Sequence, residues 1–237
     1  VSRSSGVIVA LDTASESEAL GIVDALGDHA DFYKVGLELY TWLGPAIVSK
    51  LIERRKRVFL DLKLHDIPNT VNRAARAVAE LGVDLLTVHA SGGPEMVAAA
   101  REGLGERTRL LAVTVLTSMA ADDLGALWGR PVQSVPEEVL RLAELSRGAG
   151  ADGVVAAASE APRVRAHMGD GFLLVVPGIR PAGADRHDQK RVATPAHAVQ
   201  SGASYLVIGR PITKADDPVA ALRSILDEIS AAGARSS

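Results

Sequence analysis

Eight short apolar runs alternate with helix-period stretches along this 237-residue chain, and that alternation restricts the fold more than any other feature. The runs predict strands at 7–12, 31–36, 57–63, 85–90, 110–116, 153–158, 172–178 and 205–210. Between them, apolar residues recur at helical spacing: Ala19, Ile22, Val23 and Leu26; Val71, Ala74, Ala75, Val78 and Leu81; Val139, Leu142, Ala143 and Leu145. The last helical stretch carries Val219, Leu222, Ile225, Leu226 and Ile229. Asp217 is its predicted N-cap, Pro218 its first residue, and Gly233 lies past its end. Thr194-Pro195 gives the same start signal before the eighth strand. A weak repeat punctuates the chain: Gly82-Val83-Asp84, Gly150-Ala151-Asp152 and Gly202-Ala203-Ser204 each close a helix just before a strand. Glycine there supplies the left-handed residue that ends a helix. With no linker and no break in composition, the pattern predicts one α/β domain over 1–237, a single (β/α)8 barrel of the TIM type. An open doubly wound sheet has the same periodicity. Its Gly-rich dinucleotide fingerprint is missing after the first strand, where Leu11-Asp12-Thr13-Ala14 stands instead.

Composition narrows the function classes. The absence of Cys excludes disulfides, thiolate metal sites and Cys nucleophiles. A net charge of −3 gives no basic footprint for nucleic acid, and two Trp, three Tyr and three Phe are too few for a base-stacking platform. No run is long enough to span a bilayer, and the short polar start leads straight into Val7. A soluble cytoplasmic protein with no membrane or nucleic-acid partner is the expectation.

The predicted strand ends carry Asp12, Lys34, Asp61 with Lys63, His89, Thr117 and Arg210, whereas strand starts and middles are almost wholly apolar. In a barrel, those ends form the mouth where catalytic groups sit. The segment Arg57-Val-Phe-Leu-Asp-Leu-Lys-Leu-His-Asp-Ile-Pro-Asn-Thr70 concentrates the charge. In regular strand alternation Phe59, Asp61 and Lys63 share one face. Charges there are costly unless paired, and such pairs are often functional. The plainer alternative is a structural ion pair plugging the barrel mouth. Two further segments read as phosphate sites: the long polar loop Pro177–Arg191, and Val207-Ile-Gly-Arg-Pro-Ile212. His65 is read as a packing or supporting group, His89 as a structural histidine, and Trp42 and Trp128 as packing groups. No His and carboxylate arrangement has metal-ligand spacing.

The stretch Asp61-Leu-Lys-Leu-His-Asp-Ile-Pro-Asn-Thr70 resembles the signature of the bacterial orotidine 5′-phosphate decarboxylases. The resemblance continues through Val9–Asp12, Phe32–Gly36, Thr114–Ser118, Pro177–Pro181 and Tyr205–Pro211. It implies decarboxylation of orotidine 5′-monophosphate to uridine 5′-monophosphate, the last step of de novo pyrimidine synthesis, by a homodimer using no metal or organic cofactor. In that resemblance Lys63 is the proton donor, Asp61 faces the departing carboxylate, and Lys34 and Asp66 complete a charge network, with Asp66 reaching the partner's site. Asp12 and Lys34 hold the ribose, with Thr70 of the neighbouring chain nearby and Ile67 also at the substrate, and Thr117 lines the pocket. Gln189 bridges base and phosphate, and Arg180, Gly209 and Arg210 hold the phosphate, Arg180 from a mobile loop. The nearest alternatives are a Mg²⁺-dependent sugar-phosphate decarboxylase or aldolase of the same superfamily, which would want a carboxylate where Lys34 stands, and a non-catalytic nucleotide-binding barrel.

Overall fold

In the computed structural model, which describes residues 6–181 and 193–233, the eight apolar runs pair in parallel in chain order and the last closes on the first. The strands are β1 (Gly6–Leu11), β2 (Phe32–Gly36), β3 (Arg57–Leu64), β4 (Leu85–His89), β5 (Arg109–Val113), β6 (Gly153–Val155), β7 (Leu173–Val176) and β8 (Tyr205–Ile208). The closed barrel, not the open sheet, is the fold. Strands β5 to β8 end two or three residues sooner than the apolar runs predict. Most of the extra residues leave the ladder but stay covered in the mouth, as at Val115 and Ala156 though not at Leu116 or Arg210, so hydrophobicity alone overextends these strands.

Two apolar layers hold the barrel. Inside, Ile8, Ala10, Phe32, Phe59, Leu85, Leu111, Val175 and Val207 form a plug, with Val155 completing the ring from β6. Residues one step along, such as Val9, Val35, Leu60, Leu86, Leu110 and Leu206, face outward into the larger cluster shared with the helices. Each large side chain buried this way stabilises by roughly 1.5–3 kcal/mol. The predicted helical faces follow. Ala19, Val23 and Leu26 are buried in helix Glu16–Leu26, and Val71, Ala75 and Val78 in Pro68–Glu80. Asp217 caps helix Pro218–Gly233 by accepting from the Ala220 N–H at 2.9 Å, and Thr194 caps Pro195–Gln200. Gly233 lies within its helix rather than past its end. Leu145 points outward, against its predicted place on the buried face. No helix among the described residues is long and apolar enough to cross a membrane.

The repeat has a structural cause. Gly82, Gly150 and Gly202 all have positive φ, and each turns its chain into a polar residue that grips the preceding strand. Asp84 accepts the Val58 N–H (3.1 Å), Asp152 the Leu110 N–H (2.8 Å) and Ser204 the Leu174 N–H (3.0 Å). An arginine secures each clamp: Arg57 on Asp84, Arg101 and Arg109 on Asp152, and Arg165 on Ser204. These clamps close the end of the barrel opposite the mouth. Asp152→Ala removes the acceptor of the Leu110 N–H and the carboxylate from Arg101, which keeps the carbonyls of Gly105 and Thr108, and from the largely exposed Arg109, so it should cost about 1–3 kcal/mol. Urea denaturation should show a lower midpoint at unchanged slope, with any catalytic rate of the folded protein unaffected.

Candidate active site

Counting two residues up from the plug along each of four strands reaches a polar layer. Ala10 leads to Asp12, Phe32 to Lys34, Phe59 to Asp61 and Leu85 to Thr87. Asp61 is almost wholly covered, so its charge needs partners. It has three. Its Oδ2 lies 2.8 Å from Lys63 Nζ and 3.8 Å from Lys34 Nζ, and its Oδ1 accepts from the Thr87 hydroxyl at 2.9 Å. Lys34 also donates to Asp12 Oδ1 at 2.9 Å. Charges therefore alternate in the order Asp12, Lys34, Asp61, Lys63. The room for Lys34 is left by Gly36, where a β-carbon would sit 2.7 Å from its ammonium.

Lys63 reaches this network by a route that regular alternation does not foresee. Leu60 pairs with Leu86 and Leu64 with Val88, so β3 takes four steps where β4 takes two. Lys63 lies in that bulge with φ 52°, a left-handed conformation that costs a non-glycine residue about 1–3 kcal/mol. Its N–H donates to the Thr87 hydroxyl at 2.9 Å.

Above the layer lies a cavity of about 260 Å³. Asp12, Lys34, Asp61, Lys63, Thr117, Arg180, Gly209 and Arg210 line its polar part, as expected. Val113, Val115, Leu116, Val155, Ala156 and Val207 supply an apolar wall. Arg180 was expected in a mobile loop, most of which (182–192) lies outside the described residues. It is buried, its N–H donates to Ala193 O at 2.9 Å, and its Nη1 donates to Ile179 O at 2.8 Å. Ile179 itself bridges to Ala193, which anchors the base of the loop. Sequence reasoning passed over Thr87 and the apolar wall. The signal for Thr87 was its place two residues after Leu85 on an inward strand face.

Other expected residues lie elsewhere. Asp66 and Ile67 are exposed, and neither they nor Thr70 line this chain's cavity; Asp66 Oδ1 accepts from the Ile67 N–H at 2.6 Å. Gln189 lies outside the described residues. Trp42 is 70% exposed, which corrects its reading as a packing group, whereas Trp128 is half-buried beneath Arg130 and Arg141. His65 and His89 do not line the cavity; their rings face each other with centroids 5.4 Å apart.

A closed parallel barrel with alternating charges gathered at its C-terminal mouth defines the class: a (β/α)8 barrel with the architecture of a barrel enzyme. Residues 5–225 match the model of the Orotidine 5′-phosphate decarboxylase / HUMPS family, and the chain belongs to that family. It is 50% identical over 227 residues to the orotidine 5′-phosphate decarboxylase of Vibrio parahaemolyticus, covering 94% of this chain and 97% of that one. Against the Moorella thermoacetica enzyme of the same name, identity is 51% over 231 residues, covering 94% and 91%. The crystal structure of orotidine 5′-phosphate decarboxylase from Lactobacillus acidophilus superposes with a TM-score of 0.84 at 42% identity, covering 95% of this chain and 99% of that one.

Burial, followed by the charges of His65 and Lys63, holds the pKa of His89 below its ordinary value, while Asp61 opposes the shift. The unfolded chain then binds the proton more readily than the folded one. Stability from this group is full above about pH 6.5, the unfolded value, and declines as pH falls below it. His89→Gln should lose less stability than wild type between pH 7.5 and 5.5 in urea denaturation. Identical losses would remove His89 from the account.

Proposed function

We propose that the chain, with 1–237 acting as one cytoplasmic catalytic barrel, decarboxylates orotidine 5′-monophosphate to uridine 5′-monophosphate and CO2. This is the last step of de novo pyrimidine synthesis. The observation that carries the reading is Asp61 held between the ammonium groups of Lys34 and Lys63 at the floor of a half-apolar cavity. Breaking the bond from C6 to the carboxylate leaves an electron pair on C6 with no π-system to spread it. Stabilisation must then be electrostatic, and a fixed ammonium needs no reorganisation at the moment of reaction. Lys63 supplies that charge and then gives its proton to C6. Asp61, beside the departing carboxylate, holds Lys63 in place. Asp12 and Lys34 hold the ribose hydroxyls, Thr117 and the apolar wall border the base, and Arg180, Gln189, Gly209 and Arg210 hold the phosphate. No metal or organic cofactor enters these steps. A cation would meet two ammonium groups here, and both cavity carboxylates, Asp12 and Asp61, already contact one. That disfavours the sugar-phosphate alternative.

The working form in this reading is a homodimer. Leu37, Trp42 and Ile67 are 55%, 70% and 66% exposed, and Leu37 and Ile67 follow the ends of β2 and β3. A second copy covering them would bring Asp66, Ile67 and Thr70 of the partner subunit to this mouth.

Purified protein without added metal should consume orotidine 5′-monophosphate, followed by the loss of its ultraviolet absorbance. Lys63→Ala should lower kcat by about 10²- to 10⁴-fold with the fold intact. A drop under about tenfold (~1.4 kcal/mol) would remove Lys63 as the proton donor.

Mixing Asp66→Asn with Lys63→Ala tests the shared site. Each protein alone should be nearly inactive. In a heterodimer one mouth collects both lesions and the other is intact, so random exchange should restore about a quarter of wild-type activity in a two-fold dimer. Confirmed heterodimers without recovery would place the action of Asp66 within its own chain.

A further inference from the structure

Thr87 bonds both halves of the Asp61–Lys63 pair through a single hydroxyl. It lies opposite the bulge, between Leu86 and Val88, the β4 residues whose β3 partners are four positions apart. Its side chain is fully buried, on the inner strand face two residues beyond Leu85. The hydroxyl accepts from the Lys63 N–H and donates to Asp61 Oδ1, both at 2.9 Å. Each bond fixes something the other groups do not. The first satisfies a backbone donor displaced by the bulge, at the residue held with φ 52°. The second ties one carboxylate oxygen, which aims the other at Lys63 Nζ and Lys34 Nζ.

We infer that Thr87 is a positioning residue for the decarboxylation proposed above, and the inference rests on that reading. It acts through Lys63 and Asp61, setting the distance and direction of the ammonium group relative to the reacting carbon. Thr87 does not line the cavity, so it touches no substrate. Valine has nearly the shape of threonine but neither donor nor acceptor. In Thr87→Val the Lys63 N–H and Asp61 Oδ1 lose their shared partner in a buried place, and the bulge is free to relax. The apolar wall and the arginines at the cavity are untouched. Loss of Thr87 should therefore appear in the rate of the chemical step and not in the grip on the nucleotide.

The experiment compares wild type, Thr87→Val, Thr87→Ser and Thr87→Cys, measuring kcat and KM for orotidine 5′-monophosphate and calorimetric affinity for uridine 5′-monophosphate. A misplaced catalytic group of this kind costs about 10²-fold, so kcat of Thr87→Val should fall by roughly 30- to 100-fold. KM and product affinity should stay within about threefold, because binding shared by ground and transition states is unchanged. Thr87→Ser restores the hydroxyl and should recover kcat to within about threefold of wild type; serine offers the same donor and acceptor. Thr87→Cys, with a weak donor and acceptor, should fall with valine and takes its place if valine yields no folded protein. A purely structural threonine predicts instead that kcat, KM and product affinity change together, or that only the melting temperature moves. Either result, or kcat of the valine and cysteine proteins within about threefold of wild type, overturns the inference. Wild-type protein inactive on orotidine 5′-monophosphate would overturn the decarboxylase reading and this inference with it. An active wild type beside an equally active valine protein would overturn this inference alone.

Discussion

The Asp61 carboxylate is the group around which the mouth of the barrel is built. It is almost completely covered, and an ionised carboxylate in that position is tolerable only when its oxygens are paired. The barrel supplies the partners by geometry. Parallel register brings Thr87 of β4 beside Asp61 of β3, one step past the Leu60–Leu86 pair, while Lys34, paired with Phe59 one inward position below, reaches up from β2 to within 3.8 Å of the Asp61 carboxylate. The apolar plug beneath keeps water from that side, which strengthens every interaction in the layer above.

The two ammonium groups around Asp61 differ in how they are delivered. Lys34 comes from a regular position on β2, is nearly buried, and is shared with Asp12. Lys63 comes from the bulge on β3 and is more exposed to the cavity. A straight continuation of β3 would carry Lys63 a full two-residue rise, about 6–7 Å, above Asp61. The bulge shortens that climb and leaves the ammonium 2.8 Å from the carboxylate. Backbone strain at Lys63 is thus coupled to the contact on which the proposed proton transfer depends, a pattern common where a side chain must be re-aimed at a site.

Much of this was legible in the sequence, and the gaps have physical causes. Strand number and the helical faces followed from periodicity, because a barrel buries one side of every helix and both sides of every strand; closure in chain order did not, since an open doubly wound sheet has the same period, and it was favoured by the missing Gly-rich fingerprint and the absence of a linker. Gly82, Gly150 and Gly202 were read as helix ends from chemistry that acts locally. The ends of β5 to β8 were misjudged because residues such as Val115 and Ala156 stay buried after leaving the ladder. Charged mouth residues were visible as charges in otherwise apolar runs. Thr87 was not visible, since a threonine in a strand is ordinary; its meaning depends on the register of β3 against β4, a tertiary fact. The exposure of Trp42 and Leu145 was equally hidden, because apolar spacing identifies a face but not what covers it. Asp66, Ile67 and Thr70 entered through family resemblance, and a single chain does not bring them to its own cavity.

The two ends of the barrel are joined by that same register. At the closed end, Asp84 binds the Val58 N–H and is itself held by Arg57. Three residues further along each strand stand Thr87 and Asp61, bonded to each other. Between them Phe59 pairs with Leu85 and Leu60 with Leu86, with no irregularity until the bulge begins. A one-residue slip of β4 against β3 would turn Thr87 from the inner face to the outer one and leave Asp61 Oδ1 facing Leu86 or Val88. The clamp at the base and the hydroxyl at the mouth are therefore two readings of one alignment, about 10 Å apart along the strand. Stability chemistry at one end fixes the geometry that the chemistry at the other end requires, and the strained bulge is tolerated because the ladder below it is already set.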